Sequence, residues 1–251
     1  MDPQSLSPKL LTFDTPLAAA EACGDRTLEL LDNARRQHGI ATLAVSGGNT
    51  PKLMFQHMRQ RSFNWTSVHI FQVDERCVPP DHELSNFRMI KASLLDGIEI
   101  DATQIHRIQG ELQPEQAARL YVEEIRRTLK CASGQLPIFD VIQRGMGPDG
   151  HTASLFPGEP LISNRTEIAA AVDVNKPYID KTMRHRVTLL AGVLERGRHT
   201  LNLVTGPDKA EALQKVLHGQ RDLFAFPAQI ASPDTVWYLD KAARGAGLGE
   251  R

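Results

Sequence analysis

Short apolar runs separated by segments of helical pattern decide what this chain can fold into. Ala41–Val45, Val68–Val73, Ile138–Ile142, Thr200–Val204 and Val236–Leu239 each have the length of a strand and lie between turn residues. Two more apolar runs, Glu167–Val174 and Arg186–Leu190, follow a glycine-rich stretch. Between the strands, Thr15-Pro16 makes an N-cap and first-turn pair for a helix reaching about Gln37, with Gly39 as its stop. Thr50-Pro51 opens a helix to about Arg59, and another is expected from about Ser85 to Leu95. Pro114 starts a further helix with Ala117, Leu120, Ile125 and Leu129 on one face, and Pro207–Leu217 is read as the last. Strands alternating with helices mean βαβ units, so the expected fold is α/β, a layered, mostly parallel sheet flanked by helices. No internal repeat, linker or break in composition divides the sequence. It is read as a single domain over residues 1–251, with flexible ends at 1–12 and at 244–251, where Gly245, Gly247 and Gly249 cluster.

In such sheets ligands bind beyond the C-terminal ends of the strands. The most informative segment sits there: Gly145-Met-Gly-Pro-Asp-Gly-His-Thr-Ala-Ser-Leu-Phe-Pro157, directly after the Ile138–Ile142 run. Its glycines, Gly147 and Gly150 among them, let backbone approach a ligand closely and turn the chain so that Asp149 and His151, two residues apart, reach the strand's C-terminal end. An imidazole ordinarily titrates near neutrality, which suits a general base, and a neighbouring carboxylate can orient it. A lone histidine here could equally cap a tight strand-to-helix turn. The density of glycine tips the reading toward function.

Three other loops end strands and could converge on it. Ser46-Gly47-Gly48-Asn49-Thr50-Pro51 joins strand to helix, with loosened backbone amides, hydroxyls and a helix N-terminus, which suits a phosphate group. It matches neither GxxxxGK[ST] nor GxGxxG, so no nucleotide is indicated. Asp74-Glu75-Arg76 reads as a charged loop, either solvated or with Arg76 aimed at an anion. In Gly206-Pro207-Asp208-Lys209, Lys209 opposes the helix dipole unless an anion compensates it.

Charge and cysteine usage exclude several classes. Lys and Arg number 29 against 30 Asp and Glu, without a long basic block, so nucleic acid is not an expected partner. No apolar run approaches the roughly 18 residues a membrane span requires, and Met1–Pro8 lacks the features of a secretory signal. Cys23, Cys77 and Cys131 are widely spaced, and no HExxH or HxxxH pair occurs. The expectation is a cytoplasmic protein with neither disulfides nor metal.

Taken in order, Ser46–Pro51, Asp74–Arg76, Ser85-Asn86-Phe87, Gly145–Pro157, Arg186-Val187-Thr188-Leu189 and Gly206–Ala210 resemble the 6-phosphogluconolactonases across roughly residues 15 to 240. The related glucosamine-6-phosphate deaminases share the Ser-Gly-Gly, Asp-Glu and Asp-Gly-His elements but place a glutamate seven residues after the aspartate. Phe156 stands there in this sequence. The resemblance implies a Rossmann-like fold of deaminase/lactonase type. It also implies hydrolysis of 6-phosphoglucono-1,5-lactone to 6-phosphogluconate, without a cofactor, by a monomer or weak homo-oligomer. Under it His151 is the base, Asp149 its orienting partner, and Arg76 with loop amides the donors to the oxyanion. Asp74, Gly147 and Gly150 belong to the substrate site. Ser46, Gly47, Gly48, Asn49 and Thr50 would hold the phosphate, with Arg186, Lys181 (taken in preference to Lys176) and Lys209 as cations. Ser154 lacks a GxSxG elbow and is not read as a nucleophile. Gln143-Arg144 departs from the family, whose members usually carry apolar residues at that strand end. A sugar-phosphate-binding regulator without chemistry and a sugar-phosphate isomerase or deaminase are the competing readings.

Overall fold

A computed structural model describes residues 9–245. In chain order the strands are β1 Lys9–Phe13, β2 Ala41–Val45, β3 Val68–Gln72, β4 Asp74–Arg76, β5 Ile105–His106, β6 Val141–Arg144, β7 Ala169–Asp173, β8 His185–Leu189, β9 His199–Val204 and β10 Thr235–Asp240. The helices are α1 Pro16–His38, α2 Asn49–Arg59, α3 Asn86–Ser93, α4 Pro114–Leu129, α5 Ala191–Leu194, α6 Ala210–His218 and α7 Lys241–Arg244. Seven strands form one parallel sheet in the order β1-β10-β9-β6-β2-β3-β5, and a smaller antiparallel sheet runs β4-β8-β7.

The large sheet is covered on both faces, as a parallel sheet requires. Alternation along β2 shows why. Leu43 and Val45 enter a core with Leu31 of α1 and Met54 and Phe55 of α2, while Ala44 enters another with Tyr121 and Ile125 of α4 and Val187 and Leu189 of β8. α1 begins and ends as its sequence dictates: Thr15 Oγ1 accepts from the Ala18 amide at 3.1 Å, and Gly39 closes it at φ +77°. Among the described residues no helix is long and apolar enough to cross a membrane.

Several expectations need correction. Residues 9–12, read as flexible, belong to β1, which pairs in parallel with β10. Lys241–Arg244 forms α7, so helix continues to the start of the tail; the rest of the two expected flexible ends, residues 1–8 and 246–251, lies outside the described residues. The strand placed at Ile138–Ile142 is shifted toward its C-terminus and runs from Val141 to Arg144. Ile138 is exposed, and Asp140 is instead buried beside β2, accepting from the Thr42 amide at 2.9 Å and hydroxyl at 2.8 Å. Asp74–Arg76, read as a loop, is strand β4. The helix expected from Pro207 starts with a 3₁₀ turn, Pro207–Lys209, before α6.

β2 and β6 lie side by side at the middle of the large sheet. The chain leaves β2 toward β3 on one side, while β6 continues the sheet toward β9 on the other. Their exit loops, Ser46–Gly48 and Gly145–Pro157, diverge above this junction, where an open α/β sheet forms its crevice.

Candidate active site

The turn after β6 is closed on itself. The Gly147 amide donates to the His151 carbonyl at 2.9 Å and the Gly150 amide to the Gly147 carbonyl at 3.0 Å. Gly150 takes φ +83°, a left-handed conformation that disfavours side chains. Gly147 is required for another reason: a Cβ there would lie 2.1 Å from the His151 ring and 2.7 Å from Asp149 Oδ1. The turn thereby sets Asp149 Oδ1 2.5 Å from His151 Nδ1, and the same oxygen accepts the His151 amide at 3.1 Å. Tyr178, from the segment between β7 and β8, donates its hydroxyl to Asp149 Oδ2 at 2.6 Å. Burial works to raise the Asp149 pKa, but the bonds from His151 and Tyr178 outweigh it and hold the carboxyl well below the usual range. An ionised Asp149 can only accept, so Nδ1 of a neutral His151 carries the hydrogen and Nε2 keeps its lone pair. The imidazole stacks on buried Phe156, centroids 4.0 Å apart, and the Arg186 guanidinium lies 5.2 Å from the centroid of that same ring.

Above β2, the Ser46 amide donates to Gln143 Oε1 at 3.3 Å, and the buried Ser46 hydroxyl meets no protein partner. Gly47 packs so closely on Asn86 that a Cβ would come within 1.9 Å of Asn86 Oδ1. Gly48, at φ +120°, is the N-cap of α2 and offers its first amides no side-chain acceptor.

β4 contributes the third side. Glu75 is buried and collects donors from the Asn86 amide (2.8 Å), the Phe87 amide (2.7 Å), the Arg76 amide (2.8 Å), Gln72 Nε2 (2.8 Å) and Ser85 Oγ (3.1 Å). It caps α3 and holds Asn86 against Gly47; burial still leaves its pKa raised. Asp74, also buried, accepts from Ser154 Oγ at 2.6 Å, so that hydroxyl is committed to structure. Arg76 and Arg186 are register partners on β4 and β8. Arg76 donates to the Leu84 carbonyl at 2.8 Å while its buried Nε meets no acceptor. Arg186 donates to the Met183 carbonyl at 2.8 Å, and burial, aided by the charge of Arg76, lowers its pKa despite Asp74 and Glu75. Two adjacent, partly desolvated guanidiniums with a donor to spare attract an anion.

Of the residues expected from sequence, Ser46, Gly47, Asp74, Arg76, Gly147, His151 and Arg186 line one cleft. Asp149 stands behind His151, and Gly150 shapes the turn. Gly48, Asn49 and Thr50 lie outside the lining at the start of α2, where the Thr50 hydroxyl bonds that of Thr205 at 2.7 Å. Lys181 starts an exposed 3₁₀ turn away from the lining. Lys209 is also outside it, its ammonium 2.5 Å from Asp208 Oδ2. Asn86, Gly145, Met146, Thr152 and Ala153 complete the lining without having been singled out as site residues, although all five sit in segments that carry the resemblance. Tyr178 was missed because nothing local ties it to a residue 29 positions earlier. Among the described residues no group of three His, Cys, Asp or Glu side chains is placed to hold a metal ion.

A family model described as glucosamine-6-phosphate isomerases/6-phosphogluconolactonase matches residues 14–238. The 6-phosphogluconolactonase of Synechocystis sp. is 33% identical over 216 residues, covering 85% of this chain and 87% of that one. That of Haemophilus influenzae is 34% identical over 208 residues, covering 80% and 85%. Among solved structures, the devB protein superposes with a TM-score of 0.83 at 31% identity, covering 94% and 97%. The 6-phosphogluconolactonase of Thermotoga maritima gives 0.79 at 25%, covering 93% and 100%.

Proposed function

This chain belongs to the glucosamine-6-phosphate isomerase/6-phosphogluconolactonase family, and we propose that it hydrolyses 6-phosphoglucono-1,5-lactone to 6-phosphogluconate, the second step of the oxidative pentose phosphate pathway. The observation that carries this reading is the Tyr178–Asp149–His151 array, which leaves Nε2 as a proton acceptor in a cleft that also holds two arginines. A δ-lactone is an activated ester, so one general base and one water suffice, and such a base is worth roughly 10²–10⁴-fold. His151 Nε2 takes a proton from water as its oxygen bonds to C1. The carbonyl oxygen becomes an oxyanion facing Arg76 and loop amides. When the C1–O5 bond breaks, the imidazolium returns its proton to O5. The new carboxylic acid then ionises, releasing one proton per turnover.

The reading places the 6-phosphate against Ser46, Gly47 and the start of α2, with Arg186 as the cation; Gly48, Asn49, Thr50, Lys181 and Lys209 are contacts that a bound substrate would have to recruit. Phe156 supports hydrolysis over deamination, because a buried phenyl ring cannot move the proton that ring opening needs. We read the protein as one catalytic unit, a monomer or weak homo-oligomer, working in the cytoplasm without metal or cofactor; its free thiols, Cys23, Cys77 and Cys131, fit a reducing compartment. Stopped-flow proton release with freshly generated 6-phosphogluconolactone tests the proposal. Hydrolysis far above the spontaneous rate is expected, with unphosphorylated gluconolactone a much poorer substrate. No acceleration would overturn the reading.

A further inference from the structure

Among the described residues Arg144 is the largest side chain that is fully buried, and it lies in the last position of β6, immediately before the turn that carries Asp149 and His151. It makes no salt bridge among the described residues. Its one hydrogen bond runs from Nη2 to the Ile230 carbonyl at 2.5 Å, while Nε and Nη1 meet no protein acceptor. Glu195 acts on it only from a distance, its carboxylate being paired with Arg165 at 2.9 Å. Burial pushes the guanidinium down to about 10. On the next strand Asn202, the register partner of Arg144, is also buried with its amide nitrogen unpartnered. By ordinary reckoning this is a poor arrangement: an apolar side chain of similar volume is usually no worse than a buried ion with donors unmet, and often better. Such violations concentrate where function needs them.

What Arg144 holds explains the position. Ile230 closes the Pro227–Gln229 turn, its amide bonded to the Pro227 carbonyl at 3.0 Å. From that turn the Ala228 amide donates to the Gly150 carbonyl at 2.9 Å, and the Phe226 ring fills the space in which a Gly150 Cβ would sit, 3.0 Å away. The left-handed Gly150 is therefore gripped from outside by a turn that is itself anchored to Arg144. We propose that Arg144 is a positioning residue for the lactonase reaction, acting through the Ile230 carbonyl and the Ala228–Gly150 bond to hold the Asp149–His151 pair in register. This rests on the function proposed above.

Arg144→Met keeps the bulk and removes the charge-assisted bond. With 6-phosphogluconolactone, kcat should fall about 10-fold with KM within about twofold, because a misplaced base weakens the transition state more than substrate binding. The melting temperature should stay level or rise, and amide hydrogen exchange at Gly150 and His151 should quicken. Arg144→Lys, which retains a charged donor, should recover part of kcat and of the exchange protection. A Met variant with wild-type kcat and unchanged exchange overturns the inference. So does one whose only defect is a lower melting temperature with normal turnover per folded molecule. If the Met variant does not fold, the Lys variant decides: a partly reduced kcat together with quicker exchange at Gly150 and His151 supports the inference, and either wild-type kcat with wild-type exchange or slow exchange beside a reduced kcat overturns it. Failure of the wild-type enzyme to hydrolyse the lactone would instead sink the functional reading, so the two failures are distinguishable.

Discussion

Replacing Gly147 with alanine puts a methyl group where the proposed base stands. The new Cβ would lie 2.1 Å from His151 Cε1 and Nδ1. Reaching ordinary contact at about 3.4 Å requires the ring to retreat by about 1.3 Å. The ring cannot yield cheaply, since it is stacked on Phe156 and bonded to Asp149. Nor can the pair slide together, because Asp149 Oδ1 is itself 2.7 Å from the same Cβ. A displacement of about 1 Å in a positioned group costs on the order of 10²-fold in rate, or about 2.7 kcal/mol of barrier. The backbone tolerates the change: Gly147 is not among the glycines at positive φ, and alanine stiffens the unfolded chain by about 0.4–1 kcal/mol in favour of folding. Gly147→Ala should therefore lose about 10²-fold in kcat with KM little altered, and its melting temperature should fall by several degrees, because an overpacked contact costs about 1–3 kcal/mol and outweighs the gain from the unfolded chain. Initial rates of lactone-dependent proton release, taken beside a thermal melt of the same sample, check it. A folded variant with wild-type kcat would refute the placement of the base.

Tyr178→Phe removes a donor from Asp149, whose pull on the imidazole proton then strengthens; kcat should drop roughly threefold to tenfold and the acid limb of the pH–rate profile should move to higher pH. An unmoved limb would mean that Tyr178 only covers the site. Arg186→Gln should raise KM by about 10-fold or more, and Lys209→Ala should raise it less, because Lys209 is already paired with Asp208 outside the cleft; the reverse order would transfer the phosphate contact to Lys209. The folded-state pKa of Asp149 is depressed, so its stabilisation is present above the unfolded carboxylate value near ~3.9 and is lost as pH falls below it. The melting-temperature gap between wild type and Asp149→Asn should thus be widest at neutral pH and close under acid, and a gap independent of pH would contradict the assignment.

Five strands of the parallel sheet were legible because they are short apolar runs between helices that carry their own caps, Thr15 and Gly39 being the plainest, whereas β1, read as a flexible end, and the two-residue β5 were not. The Gly145–Pro157 turn was legible for a related reason: glycines at 147 and 150 answer local steric demands, which a sequence displays directly. Two strands of the small antiparallel sheet, β7 and β8, coincide with the apolar runs at Glu167–Val174 and Arg186–Leu190, but its edge strand β4 was hidden. Asp74-Glu75-Arg76 looks like a solvated loop until Glu75 is seen collecting three backbone amides and two side chains, three of those five donors coming from Ser85, Asn86 and Phe87, ten or more positions away. The offset of β6 has the same origin, since Asp140 is buried by a pair of bonds to Thr42 and Arg144 by a carbonyl 86 residues on. Lys181 and Lys209 illustrate the converse, for charge type and order along the chain do not say which cations face the cleft. Tyr178 and the Phe156 stack depend on how β7, β8 and the turn after β6 come together, and no periodicity records that.

The central claim is that His151 takes the proton from water, and the most direct test is kcat for 6-phosphogluconolactone hydrolysis by His151→Ala, with folding followed on the same sample. A general base at His151 gives a folded variant with kcat reduced roughly 10²–10⁴-fold and KM little changed, because that proton transfer exists only in the transition state. A stable His151→Ala variant that turns over the lactone at the wild-type rate would contradict it.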